Sequence, residues 1–346
     1  MIPYLLDTSY TLKTEFSDFI SFIWTTRYYD TGDFELVVPI TEKALTYVKA
    51  GYYIVRDDDE NIGIIEKIEL ITAEDEADRM IITGKLGDCI LGRRIIASRQ
   101  SFKNKTVGQI VGGLISSQIT LPTIAARKIT DFVYSDDTTL ATTLSRQYTG
   151  DNLEEAIQEL CQTYGLGYKV IFNRTTSKFE CHLYEGSDRS YAQNTLPYVV
   201  FSTSYSNLTN ADYIEDYSGL ITDVLVAGEG QGSSRVTQWA HETVNSGLNR
   251  YEAYEDARET SSESLTTLEY KAQLEAQGLE AITHILTALG GEVVLNNYEY
   301  GQDFYLGDIV RVEVPAWNLG TNARIIEVIE SISELGVHTI IPTFGT

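Results

Sequence analysis

The run 22-FIWTTRYYDTGDFELVVP-39 constrains this chain more than any other stretch. Phe22 and Trp24 before the turn, and Phe34, Leu36 and Val38 after it, recur every second residue. That period puts them on one face of a β-strand and scatters them around a helix. The polar stretch 30-DTGD-33 between them carries turn chemistry, so the two arms are predicted to pair as a hairpin with one face buried. A lone hairpin is barely stable in water, so this one requires a larger sheet to join. The following runs supply it: 52-YYIVRD-57, 64-IIEKIELIT-72 and 79-RMIITGKLGD-88 repeat the same texture. Short antiparallel strands without intervening helices predict a barrel or sandwich over residues 1 to about 100.

The period changes after residue 101. In 105-KTVGQIVGGLISSQI-119 the residues Val107, Ile110, Val111, Leu114 and Ile115 recur at helical spacing, and Thr106 with Gln109 can form a capping box. The stretch 151-DNLEEAIQELCQTYG-165 predicts a second helix, with Leu153, Ala156, Ile157, Leu160, Cys161 and Tyr164 on its apolar stripe. Asp151 and Glu154 are expected to cap its start and Gly165 its end. The runs 168-YKVIFN-173 and 179-FECHLYEG-186 then read as a hairpin, so residues 101–190 form a small α+β domain. Strands resume from 191 to 346 in 197-PYVVFS-202, 220-LITDVLVAGEG-230, 292-EVVLNN-297, 309-IVRVEV-314, 323-ARIIEVIE-330 and 337-VHTIIPTF-344. One long helix near 264–289 is predicted among them, on the spacing of Leu268, Ala272, Ala276, Leu279, Ile282, Leu286 and Leu289 before two glycines. The fold class is therefore mainly β with α+β, in the order β domain, α+β domain, β domain.

Several stretches invite chemistry and fail its requirements. The acidic run 57-DDDENIG-63 suggests a calcium loop, but its sixth and twelfth positions would be Ile62 and Ile68, where glycine and glutamate are needed. It reads as a solvated hairpin tip. The loop 228-GEGQG-232 follows an apolar strand, yet 233-SSRVTQWAHETV-244 alternates like a strand and provides no helix N-terminus for a phosphate. His182, His241, His284 and His338 stand apart, with no pair at metal-binding spacing. Cys89, Cys161 and Cys181 lack disulfide or zinc spacing and read as buried thiols. No serine sits in a nucleophile elbow. Paired carboxylates leave no fixed spacing, so a cell-wall glycosidase or a carbohydrate-binding module stays open as the alternative. No residue is nominated as catalytic, cofactor-binding or metal-ligating, and no cofactor is expected.

Charge narrows the partners. Fifty acidic against 26 basic residues give a formal net charge of -24, which repels phosphate backbones and argues against sequence-specific nucleic-acid binding. No window holds the roughly 18 apolar residues of a spanning helix, and the start MIPYLLDTSYTLK lacks a secretory leader, so a soluble chain made in a cytoplasm is expected, without stable membrane insertion.

Taken in order, 22-FIWTTRYYDTGDFELVVP-39, 147-QYTGDNLEEAIQELCQTYGLGYKV-170, 224-VLVAGEGQG-232, 300-YGQDFYLGDIVRV-312 and 323-ARIIEVIES-331 resemble the tail-hub family of long non-contractile-tailed phages and prophages, similar in fold to the baseplate hub of contractile tails. The resemblance runs from about Phe16 to Phe344 and rests on collinearity, since none of these stretches is a catalytic motif. It implies a non-enzymatic structural protein: a homotrimer at the virion tail tip whose two tube-type β-barrels per chain form a pseudo-sixfold ring around the DNA path. It also implies a tail tube or distal tail protein, a tape measure protein and receptor-binding or fibre proteins as partners. Within it, Tyr28, Tyr29 and Phe34 are expected as packing or ring-interface residues, and Gly307 and Asp308 of 306-LGDIV-310 as a turn into a strand. Some relatives carry C-terminal enzymatic or fibre extensions, whereas this chain ends at 341-IPTFGT-346, immediately after its last predicted strand, so a wall-degrading activity is not expected of it.

Overall fold

The chain is described as a computed structural model covering residues 1–72, 78–263, 265–294 and 298–345. The first part contributes β1 (Pro3–Leu6), β2 (Leu12–Glu15), β3 (Ser21–Arg27), β4 (Asp33–Pro39), β5 (Tyr53–Arg56), β6 (Ile62–Ile71) and β7 (Arg79–Leu86), with short helices α1 (Glu42–Tyr47) and α2 (Cys89–Gly92). The middle part holds β8 (Gln100–Thr106), α3 (Val107–Ile115), β9 (Phe132–Asp136), β10 (Thr143–Tyr148), α4 (Leu153–Tyr164), β11 (Gly167–Asn173) and β12 (Lys178–Tyr184). The last part comprises β13 (Val200–Ser202), β14 (Leu208–Asp216), β15 (Asp223–Ala227), β16 (Thr237–Ala240), β17 (Glu252–Asp256), α5 (Thr267–Glu280), β18 (Leu286–Val293), β19 (Ile309–Val314), β20 (Leu319–Ser333) and β21 (His338–Gly345). The fold is mainly β, as the alternating runs require.

The opening hairpin forms as read. Phe22 faces Leu36 and Trp24 faces Phe34 across β3 and β4, and all four are buried. These side chains join Leu5, Ile54, Ile65, Met80 and Ile82 in one core. Each fully buried side chain of this kind stabilises the fold by about 1.5–3 kcal/mol. The two outer parts, expected as two β-barrels, are joined to each other. One 13-stranded sheet runs through both, in the order β14-β18-β21-β20-β3-β4-β7-β6-β5-β1-β2, with β19 added to β20 and β13 to β19. The antiparallel pair β3–β20, from Arg27↔Glu327 to Ser21↔Ser333, is the seam between the two halves. No ladder closes either half among the described residues, yet side chains of β1, β3 and β5 share one core in the first half. The strands β5 and β3 lie four steps apart, about 19 Å in a flat sheet, yet the Arg56 guanidinium stands 5.7 Å from the Trp24 ring.

The long helix is corrected. It ends at Glu280, and Leu286–Val293 is a strand paired with β14 and β21. Ile282, Thr283, Ile285 and Thr287 are β-branched and prefer extended backbone, so the helical period across them was overridden. The paired glycines expected to stop that helix lie within the strand. Residue 264, its expected start, and 295–297 of the run 292–297 lie outside the described residues. A capping box of Thr266 and Glu269 starts α5. In α4 the cap is Asn152, not Asp151: its side chain accepts from the Glu154 and Glu155 N–H groups, while Asp151 accepts from the Thr149 N–H. Gly165 ends that helix in the left-handed region at φ 66°, as expected, and Thr106 with Gln109 forms the expected capping box on α3. Among the described residues no helix is long and apolar enough to cross a membrane.

Candidate functional site

The stretches that invited chemistry resolve into structure. Asp57 and Asp58 lie 3.7 and 3.4 Å from the Met1 amine, and Asp59 accepts from the Asn61 N–H, so the acidic run is a hairpin tip with its own counter-charges. The glycine loop joins β15 to β16 as a hairpin, with Gly230 at φ 105°. All three cysteines are buried and free, and burial pushes the Cys89 thiol up to about 11. His284 stands 2.9 Å from Glu242, His338 3.5 Å from Glu330 and His241 3.8 Å from Asp223. Asp137 holds both His182 and the Ser135 hydroxyl at 2.6 Å. That last arrangement superficially suggests a triad, but the serine donates to the carboxylate and not to the imidazole, so the histidine cannot take its proton. The Asp137 carboxyl is lowered, chiefly by the Ser135 hydrogen bond; burial opposes this, and His182 adds to the lowering.

The three parts of the chain converge on Tyr28, which closes the opening hairpin and is fully buried. Its N–H donates to the Ile326 carbonyl of β20 at 2.9 Å, and its carbonyl accepts from the Tyr168 N–H of β11 at 3.4 Å. The hydroxyl donates to the Gly165 carbonyl at 3.1 Å and accepts from the Gly186 N–H at 3.1 Å. The Arg324 guanidinium sits 5.1 Å above the ring, within range of a cation–π attraction. Two glycines make room for the ring: a Cβ on Gly167 would lie 2.3 Å from it and one on Gly307 2.2 Å. Burial pushes the phenol up to about 12, with Arg324 opposing, so the hydroxyl keeps its proton.

Around this centre the parts are joined by arginine–carboxylate pairs. Arg56 of β5 meets Glu330 of β20 at 2.7 and 3.2 Å, both side chains being at least nine-tenths buried. Burial alone would raise the Glu330 carboxyl, but hydrogen bonds from His338 and Arg56 prevail and hold it below its usual value. Arg27 reaches Glu327 at 2.6 Å across the β3–β20 seam. Arg189 meets Asp308 at 2.7 Å, tying the segment after β12 to the turn before β19. That turn is the one expected at 306–310: Gly307 lies at φ 93° and Asp308, also buried, accepts from the Ser187 and Tyr305 N–H groups. Arg146 of β10 pairs with Glu280 of α5, linking the middle part to the last. A cleft of about 910 Å³ runs beside these groups, lined by Arg56, Asp58, Lys169, Tyr300 and Glu330 among others. Among the described residues no group of three His, Cys, Asp or Glu side chains converges to hold a metal.

The expectation for Tyr28 thus resolves as packing at a junction, and Phe34 packs in the first core. Tyr29 is half-buried against Tyr28. The arginine–carboxylate pairs were not foreseen. Their signal was parity: Arg56 shares an inward face with Ile54, and Glu330 one with Val328, positions where the rest of each run is apolar.

This geometry can hold three parts in one fixed relation, and comparisons with known proteins agree with it. The family described as Siphovirus ReqiPepy6 Gp37-like protein matches residues 2–346. No curated protein matches the chain. A tail protein from Neisseria meningitidis MC58 has a similar structure, with a TM-score of 0.62 at 12% identity over 99% of this chain and 96% of that one. The 43 kDa tail protein of prophage MuSo2 from Shewanella oneidensis gives 0.59 at 13% identity, covering 99% and 98%. The prophage tail protein gp18 from Listeria monocytogenes EGD-e gives 0.55 at 13% identity, covering 100% and 94%. The fold is thus one found in phage and prophage tail proteins.

Proposed function

The chain belongs to the Siphovirus ReqiPepy6 Gp37-like protein family, and from that premise we propose that it is a non-enzymatic structural subunit of a phage or prophage tail tip. It forms a hub ring, three chains to the ring, that joins the tail tube to the host-recognition apparatus and surrounds the DNA path. The observation that carries this reading is the end-to-end likeness in fold to tail proteins of nearly the same length. The buried junction at Tyr28 supports it, because a wall element must transmit load between its parts without hinging. The partners are a tail tube or distal tail protein, a tape measure protein and receptor-binding or fibre proteins. The net charge of -24 suits a channel wall past which DNA slides without counterion release.

Native mass spectrometry of the chain co-expressed with the proteins encoded beside it tests this. The expected complex contains three 38.7 kDa chains bound to a tube-type neighbour. A single copy per complex, or turbidity clearing of host-type cell walls that a carboxylate substitution abolishes, would overturn it.

A further inference from the structure

The middle sheet has the order β11-β12-β9, so β11 is an edge strand with one row of N–H groups facing away from its neighbour. Those groups belong to Tyr168, Val170 and Phe172, and each is taken by the first part of the chain. The Tyr28 carbonyl accepts from Tyr168 at 3.4 Å and the Glu60 carbonyl from Phe172 at 3.0 Å. Between them, where a strand would offer a third carbonyl, the Asp88 carboxyl accepts from Val170. Asp88 stands at the start of α2 but caps nothing in its own helix. Its neighbour Gly87 comes so close that a Cβ there would lie 2.5 Å from the Val170 carbonyl oxygen. Only one of the three acceptors on this seam can change its charge, and it is 4% exposed.

We propose that Asp88 is a proton-operated clasp: protonated, it holds the middle sheet tightly against the first part of the chain, and ionised, it loosens that seam. The groups facing it come from every element packed there. Glu154 of α4 opposes ionisation, Lys169 of β11 favours it, and Cys89 of α2, Tyr168 of β11, and Cys181 and Tyr184 of β12 complete the surround. Burial pushes the Asp88 carboxyl up to about 7; the Val170 N–H works against this and Glu154 adds to it. In the opened seam the carboxyl returns to about 3.9. The docked state therefore binds the extra proton between these values, and docking weakens as pH rises through that window. The opening equilibrium is expected to grow about thirty-fold between about pH 5.5 and 8.5, because the opened form is fully ionised throughout and the docked form is not.

Hydrogen exchange of the full chain, read at residues 167–173 and corrected for intrinsic rates, tests this. The expected result is a loss of protection of about thirty-fold from pH 5.5 to 8.5 in the native sequence, and less than about twofold in Asp88→Asn. Asparagine keeps an acceptor for Val170 and cannot ionise. Should that variant not fold, Glu154→Gln serves: removing the opposing carboxylate is expected to move the midpoint of the transition to lower pH, a shift that a merely structural role would not produce. Protection that does not change with pH in the native sequence, or an unchanged transition in Asp88→Asn, which would assign it to another group such as Glu154, whose carboxyl is also raised by burial, would overturn the proposal.

Discussion

Replacing Tyr28 by phenylalanine removes one oxygen from the centre of the junction and nothing else. The ring still fills the space that Gly167 and Gly307 leave for it, and Arg324 still lies over its face. The Gly186 N–H and the Gly165 carbonyl lose their partner in a site with no exposure at Tyr28. A net hydrogen bond is worth about 0.5–1.5 kcal/mol, and a buried group left unpaired costs about 1–3 kcal/mol. The expected destabilisation is about 1–3 kcal/mol, with the upper end reached if neither backbone group finds water. Urea unfolding followed by far-ultraviolet circular dichroism reads this as a lower midpoint at unchanged slope. Tyr191→Phe is the control, since that side chain is 51% exposed and its loss is expected within about 0.5 kcal/mol. If Tyr28→Phe were also within about 0.5 kcal/mol, the hydroxyl would contribute nothing and the junction would be held by ring packing alone.

Other perturbations separate the remaining contributions. Glu330→Gln breaks a buried pair and leaves Arg56 with only the more exposed Asp58 and Asp59, so a loss of about 3–5 kcal/mol is expected in the same assay. Because the native Glu330 carboxyl lies below its usual value, its contribution is complete above about pH 4.3 and disappears as pH falls through the folded value; the gap between variant and native chain is expected to narrow on acidification to about pH 3. Gly307→Ala meets both the Tyr28 ring and a left-handed backbone angle, and is expected to cost more than about 1 kcal/mol, measured by the same midpoints. Asn152→Ala removes the cap of α4 and is expected to cost about 0.5–2 kcal/mol, whereas Asp151→Ala, which leaves that cap intact, is expected to cost less.

The alternation of Phe22, Trp24, Phe34 and Leu36 made the first hairpin legible because a period of two admits one buried face only. The stripe of α4 was equally plain, yet its cap was misplaced by one residue, since Asp151 and Asn152 both have the side chain for it and only backbone geometry decides. The sheet that joins the two ends was not legible. The pairing of β3 with β20 links residues about 300 apart, and nothing in either strand names its partner. Tyr28 was expected as a packing or ring-interface residue, but what it packs against was hidden, because the glycines that accommodate it lie at positions 167 and 307. The buried pairs were present as polar residues at inward positions, but a charge of one sign becomes informative only once its partner is in place.

Cryo-microscopy of intact tails at side-chain resolution tests the central claim most directly. The account requires three copies of this chain around the axial channel at the tail tip, each with Tyr28 buried among Gly165, Gly186 and Gly307 and with Arg56 paired to Glu330 as in the isolated fold. A chain found away from the channel, or one whose middle part has swung away from Tyr28 in the assembled tail, would contradict it.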